Sequence, residues 1–517
     1  MKKRSVLSLL LASLLTLSLT SCQDSGESST AETSPANNSS SSSEESVSSE
    51  SEEEPYLIHM VLTVAAEGTG SDAVRQAVNE LALRELNMEV DLNMQTFGTL
   101  QQTLNMQMAA NENLDIVPIA SQTLTSSIDS GYLLNLNDYT DILSEAIEGL
   151  GDDAYAAYFP ETDFLAGLPL HKERVNPVGL VVRSDIMEEI GVNAEDIVIN
   201  PDDYDSFSQL DDLFAAVKEA YPEMTCVTGH LGTSTQPTWV DGLNDFLGVL
   251  ENYGQTTTVT NWYESEQFAN FCAIAQRWFE AGYESADIAT TTDTGATLMR
   301  AGNLFSYFTN IKPNTDVEVE AQTGYPVDVI QIGKKGKYSS NIIGCIYSIS
   351  AASEDPEKAA TFMNWMYQSG EFNDLINWGV EGVDWEEKED GTAGYPEGVD
   401  ANNVGYHQDF GWIYPNQMAG HAWEGNDPDV WEQYEVFNNE DILPSMANGF
   451  NYDGSSVANE VAACSAVVDQ YYVSLLTGAM DPETNIPVFN EALYNSGLQT
   501  IIDEKQRQLD AWLAEQE

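Results

Sequence analysis

The chain has 517 residues, of which 84 are Asp or Glu and 19 are Lys or Arg, giving a formal net charge of −65 at pH 7. So acidic a surface excludes nucleic acid as a partner, because phosphate binding needs a basic face, and its plain use is solubility in a crowded exterior. Beyond residue 55 the chain is too long for one small core and, with ten Trp and 23 Tyr, has the composition of two or three globular domains.

Lys2, Lys3 and Arg4 precede an apolar run over 6–19, the charged start and short apolar middle of a secretory signal. A bilayer span needs about 20 apolar residues, and this run stops at Thr20, Ser21 and Cys22. Leu19, Thr20, Ser21 and Cys22 fit a bacterial lipobox. Residues 1–21 are therefore read as a signal peptide and Cys22 as the lipidated first residue of the mature protein, on the outer face of the cell membrane. Two acyl chains, at about 0.8 kcal/mol per buried CH₂, anchor a protein without a spanning helix. Residues 22–54, the lipidated cysteine and then mostly Ser, Glu, Thr, Asn and Ala, bury too little apolar surface to fold. They are expected to form a tether with a span of roughly 30 Å.

The mature domain then alternates. The pattern predicts a strand over 57–66, a helix over 72–86, a strand over 88–94, a helix over 99–110 and a strand over 115–120. It resumes with a strand at 178–183, an N-capped helix at 184–190 and an amphipathic helix at 207–220. Strands over 327–332 and 342–350 follow, then a helix over 355–368 with Pro356 in its first turn, and an amphipathic helix over 497–514 closes the chain. Strands alternating with helices of this length predict βαβ units and parallel sheets, an α/β fold.

The chemistry is read mostly by exclusion. Gly68, Gly70 and Ala73 match G-x-G-x-x-A between a strand and a helix, with Asp91 downstream, but a secreted chain meets no nicotinamide pool. The better reading is a loop at the C-terminal edge of a parallel sheet, where ligands of open α/β folds sit. Carboxylates are so frequent that an acid pair at any spacing carries no weight for a glycosidase. The five histidines and the cysteines Cys226, Cys272, Cys345 and Cys464 lack zinc-site spacing, no nucleophile or P-loop motif stands out, and no cofactor is expected. More telling are Trp239, Trp378, Trp412, Tyr414 and Trp423, which fall in loop-like stretches rich in Gly, Pro and Asn. A sugar ring offers an apolar C–H face to an aromatic ring while its hydroxyls need amides and carboxylates.

These pieces, with Leu114 to Val117, Gly282 and Tyr283, Tyr307 with Lys312 and Pro313, the stretches SEDPEKAA at 353–360 and NWGVEG at 377–382, and EKQRQLDAW at 504–512, resemble the family-1 extracellular solute-binding proteins, specifically LplA-like lipoproteins of Gram-positive carbohydrate ABC transporters. The resemblance runs over nearly the whole mature chain. It implies a two-lobed, type II fold, with 55–172 plus 343–372 in lobe 1 and 173–342 plus 373–517 in lobe 2, and crossings near 171–177, Asn341 and Gly370. It implies a monomer that takes up a small molecule, an oligosaccharide above all, by hinge closure and delivers it to ABC permease subunits without breaking a bond. A surface-tethered glycan-degrading enzyme, or a receptor for a peptide or other solute, is the alternative. No family motif fixes the binding residues. Candidates are Glu67 and Thr69 in the first loop, Gln122 after the third strand, Trp239, Asp241, Tyr307, Glu381 and Trp412.

Overall fold

The computed structural model describes residues 54–229, 239–291 and 293–516, so the signal peptide, Cys22 and the tether lie outside the described residues. The apolar run near the start forms β1 (Tyr56–Val64), and α1 (Ser71–Leu86) carries the chain back to β2 (Met88–Thr96). β1 and β2 pair in parallel along their whole length, from Tyr56 opposite Met88 to Val64 opposite Thr96. Val74, Val78, Leu81 and Ala82 of α1 are buried, a helical stripe that faces the sheet.

Next come α2 (Phe97–Ala109), β3 (Ile116–Ala120), α3 (Ser121–Asp129) and the short β4 (Leu168–Pro169). A second sheet begins with β5 (Val178–Arg183) and β6 (Thr225–Thr228), and after α4 (Glu266–Glu280) continues with β7 (Leu304–Asn310), α5 (Thr315–Thr323) and β8 (Val327–Ile332). β9 (Lys335–Lys337) and the single helical turn α6 (Ser339–Ile342) lead back to β10 (Cys345–Ile349) in the first sheet. α7 (Pro356–Gln368) starts as its sequence predicts, with Pro356 in the first turn and the Asp355 side chain accepting from the Lys358 amide. Then follow α8 (Gly370–Asn377), α9 (Val430–Asn439), β11 (Ile442–Pro444) and, last, α10 (Leu498–Gln516).

The first sheet has the order β2-β1-β3-β10-β4 and the second β8-β5-β7-β6. Strands joined by helices within one sheet run parallel, β1 with β2 and β3, as does β6 with β7. Strands that enter from the other half run antiparallel, β10 against β3 and β5 against both β7 and β8. Each sheet has its own core. One is built on Ile58, Leu62, Ile116 and Tyr347, the other on Leu180, Phe214, Trp278 and Phe308.

Two features differ from the expected lobe boundaries. Ile376, Tyr406, Ile413 and Tyr414 are buried in the first core, with the Tyr406 hydroxyl donating to the Ile376 carbonyl at 2.8 Å. The stretch 373–414, expected with lobe 2, thus packs on the first sheet. The third crossing is accordingly not near Gly370 but at β11, which pairs in parallel with β9. Asp153, 5 % exposed, ties the crossings together. It accepts from Lys337 at 2.7 Å and from Arg174 at 3.2 Å, while Asn438 accepts from the Arg174 amide at 2.7 Å and donates to the Lys172 carbonyl at 3.0 Å. The four cysteines at 226, 272, 345 and 464 are free.

Candidate functional site

A cleft of about 480 Å³ opens between the two cores at the C-terminal end of β3. Pro118, Ala120 and Ser121 form its floor beside Gly344 and Cys345, where the Ser121 amide donates to the Gly344 carbonyl at 3.1 Å. α2 contributes Phe97, Leu100 and Gln101, the first crossing Lys172 and Asn176, and α6 Ser340 and Asn341. Trp412 comes from the segment added to the first core, and Asn244 and Phe246 close the cleft from the second. A site at strand C-termini, walled from two units, is where open α/β folds take their ligands.

The first-core wall is aromatic. Trp412 is 40 % exposed and stacks on Phe97, with centroids 5.8 Å apart and planes 13° apart. Phe410 meets both rings edge-on, at 5.6 and 5.4 Å. The polar lining is amide-rich, with Gln101, Asn176, Asn244 and Asn341, and among the described residues it holds no carboxylate. The Asn341 side-chain nitrogen is buried without a hydrogen-bond partner. Lys172, 5.9 Å from the Trp412 ring centre, is already bonded to Glu173 at 2.7 Å. Burial opposes charge on Glu173, yet Lys172 and Lys312 together hold its carboxyl below the usual carboxylate range. Cys345 is half-buried, and burial pushes its thiol up to about 12, which disfavours the thiolate that a nucleophile needs.

A larger cavity of about 660 Å³ lies at the C-terminal ends of β6 and β7, lined by Thr228, Thr294, Tyr307, Asn310, Lys312 and Glu318 among others. Lys312 and Glu318 pair at 2.8 Å. Asn310 of this cavity donates to the carbonyl of Asn176, a cleft residue, at 2.8 Å. This bond links one lining residue of each hollow.

The residues singled out from sequence divide. Trp412 lines the cleft, and Tyr307 lines the adjoining cavity, its hydroxyl pushed up to about 12 by burial. Gln122 falls on α3 directly after the cleft residue Ser121. Glu67 and Thr69 are exposed at the end of β1 and do not line the cleft; the Glu67 carboxylate pairs with Arg75. The two glycines around them serve backbone packing. The Gly70 amide donates to the Gly405 carbonyl at 2.8 Å, and a Cβ on Gly68 would lie 2.3 Å from that oxygen.

Trp239 and Asp241 are not contact residues but core. Trp239 is 1 % exposed and sits edge-on to Phe271 at 4.8 Å. Asp241 is 2 % exposed and accepts from the Leu243 amide at 3.1 Å. Glu381 lines a separate hollow beside α1 and α8, with Arg84, Trp385 and His421, that shares no residue with the cleft. Sequence reasoning missed Phe97, Asn176, Asn244, Phe246 and Asn341 as lining residues. Asn176 and Asn341 carried a positional hint, since both fall at crossings that the resemblance implies, whereas Phe97, between a predicted strand and a predicted helix, and Asn244 and Phe246 carried none.

Residues 76–380 match the family described as bacterial extracellular solute-binding protein, and 446–514 match a domain of unknown function, DUF3502. A carbohydrate ABC transporter substrate-binding protein of Streptococcus pneumoniae serotype 4 is 21% identical over 467 residues, 86% of this chain and 88% of that protein. The crystal structure of the N-glycan transport solute binding protein NgtS from S. pneumoniae superposes with a TM-score of 0.77 at 19% identity, covering 89% of this chain and 100% of that one. Its complex with Man5GlcNAc gives 0.67 at 19% identity, over 89% and 99%.

Proposed function

From the membership of this chain in the bacterial extracellular solute-binding protein family, we propose that it captures a neutral oligosaccharide between its two cores and delivers it to an ABC import permease, as a monomer held at the outer membrane face through a lipid on Cys22. The observation that carries this reading is the lining of the cleft. Stacked aromatic rings on one side and amides all round suit the two faces of a sugar, and both cores contribute. The one ammonium in the lining is neutralised by Glu173, so nothing selects an anion.

The volume of the second cavity, about 660 Å³, beside that of the cleft supports an oligosaccharide over a monosaccharide. The pneumococcal relative solved with Man5GlcNAc supports the same ligand class. Contacts made from both walls exist only when the lobes approach, so ligand shifts the population toward the closed form, which the permease then reads. The hydrolase alternative needs two carboxylates flanking the bond; the described lining of the cleft offers none, and of the two in the adjoining cavity, Asp293 and Glu318, the latter is paired with Lys312.

The test is a thermal-shift screen of the mature protein against Man5GlcNAc, kestose and other neutral oligosaccharides, with product analysis of every hit. A glycan at 100 times its dissociation constant adds about 2.7 kcal/mol to the folded state. The expected result is a raised midpoint with the glycan recovered intact. Cleavage would establish an enzyme instead, and a response confined to peptides or anions would overturn the carbohydrate assignment.

A further inference from the structure

The second-core wall of the cleft is a loop with an unusual backbone. Leu243, Asn244 and Phe246 have φ of 44°, 82° and 59°, and Asn252 and Tyr253 follow at 51° and 57°. Asparagine tolerates the left-handed region, but Leu and Phe do so only where surrounding contacts over-determine the conformation. Gly242 gives the Phe246 ring its place, since a Cβ there would lie 2.7 Å from it. Asp241 and Asp245 accept from the Leu243 and Leu247 amides at 3.1 and 2.8 Å. Those short-range bonds shape the loop without fixing it to the lobe.

Leu243 and Leu247 are buried in the second core, and the polar ties to the loop come from the other end of the chain. Lys505 of α10 is completely buried. Its Nζ lies 2.5 Å from Asp245 Oδ1, donates to the Gly248 carbonyl at 3.0 Å, and sits 5.0 Å from the Tyr452 ring centre. One turn on, Gln508 clasps the Asp453 backbone, accepting from its amide at 2.9 Å and donating to its carbonyl at 2.8 Å. An ammonium taken wholly out of water is poor core material, and an apolar side chain would fill the same volume at less cost. What an apolar residue would not supply is a hold on both Asp245 and the Gly248 carbonyl, on either side of the residues that carry Phe246 into the cleft wall.

We propose that Lys505 is a positioning residue of the ligand cleft, clamping the strained loop 241–248 so that Asn244 and Phe246 stay in the cleft wall. This gives the C-terminal segment 446–514, matched above only as a domain of unknown function, a part in ligand capture. The affinity arm of the following test rests on the carbohydrate reading, whereas the exchange arm does not.

The experiment compares the mature wild-type protein with Lys505→Met, with Lys505→Met/Asp245→Leu, and with Arg277→Met. The last breaks a different ion pair of the same lobe, Arg277 with Asp211 at 2.9 Å. Amide exchange is followed in the free proteins at Leu243, Phe246, Leu247 and Leu250, all hydrogen-bonded here. Lys505→Met is expected to speed exchange there about tenfold or more through local opening, with Arg277→Met within about twofold of wild type. The double variant leaves no unpaired charge but removes the Asp245 acceptor of the Leu247 amide, so it is read at Leu243, Phe246 and Leu250 alone; there it is expected to recover thermal stability but keep the fast loop, and it carries the measurement if Lys505→Met fails to fold. Titration with Man5GlcNAc should show affinity down about tenfold in both Lys505 variants if a tenth of the loop population stays competent, and unchanged in Arg277→Met. Wild-type exchange in Lys505→Met, or restored protection in the double variant, would overturn the proposal. A loosened loop in a protein whose wild type binds no glycan would leave the clamp standing and remove the carbohydrate reading instead.

Discussion

The two walls of the cleft are built by opposite means. The first is the edge of a regular sheet, where Ala120 pairs with Cys345 in a standard antiparallel register and an aromatic layer of Phe97, Phe410 and Trp412 is added on top. The second is an irregular loop with left-handed Leu and Phe, held by a buried ion pair. A wall that comes with the sheet needs no outside help, because each strand bond is made by its neighbour. A wall in a strained conformation must be over-determined from elsewhere. Here that means contacts 260 residues apart in sequence.

The strongest test of how the walls are joined is at Asp153, which serves neither wall but grips both Arg174 and Lys337 of the crossings. Asp153→Ala leaves two cations with little exposure, 13 % and 14 %, without their carboxylate. Removing one partner of a buried pair typically costs about 3–5 kcal/mol. Denaturant unfolding should show that loss. A single transition would mean the two cores still unfold together, and two transitions that Asp153 is what couples them. A loss under about 1 kcal/mol would show that water reaches the hinge cations.

The segment that carries Phe410 and Trp412 also holds an acid-sensitive group. His407 lies in the segment 378–426, between Trp378 at 5.1 Å and Trp423 at 4.4 Å. Its Nδ1 has no partner, and burial lowers its pKa to about 4. The unfolded value is about 6.5. Between these values the unfolded chain takes up a proton that the native protein refuses, so stability falls as the pH drops through the window and is full above it. The size is about 3 kcal/mol between pH 7 and pH 4. His407→Phe should remove that share of the acid sensitivity, read as the difference between variant and wild type in unfolding free energy at the two pH values. An unchanged pH profile would mean His407 takes up its proton freely in the fold.

Much of the first wall's frame was legible in sequence, and little of the second. The first-sheet elements expected at 72–86, 88–94 and 115–120 appear at Ser71–Leu86, Met88–Thr96 and Ile116–Ala120, because apolar periodicity reports which face is buried. Trp412 stood out as an aromatic residue in a loop. Trp239 stood out for the same reason and is core: local composition is alike for an aromatic residue that caps a cleft and one that plugs a lobe, and only the packing of Phe271 against it separates them. The third crossing was misplaced because 373–445 has few periodic stretches, and its position is set by the pairing of β11 with β9. Asn244 and Phe246 were invisible, since nothing local announces a left-handed Leu-Asn-Asp-Phe turn whose anchor is a lysine in the last helix.

The smallest effect on stability is expected where the effect on binding is most selective. Trp412 is 40 % exposed and its ring packs on Phe97 and Phe410. Each such pair contributes about 0.5–1.5 kcal/mol beyond area burial, so Trp412→Ala is expected to cost about 2 kcal/mol, less than the loss of a fully buried Trp. If the ring is a sugar platform, affinity for Man5GlcNAc should fall about tenfold, or about 1.4 kcal/mol, while amide exchange in 241–248 stays at the wild-type rate. Phe246→Ala, on the other wall, should lower affinity and loosen the loop together, because that ring also packs against Gly242. A Trp412→Ala protein that loosened the far loop would show that the two walls are mechanically one. An independent response would leave the first wall supplying preformed surface and the second supplying the part that must be held in place.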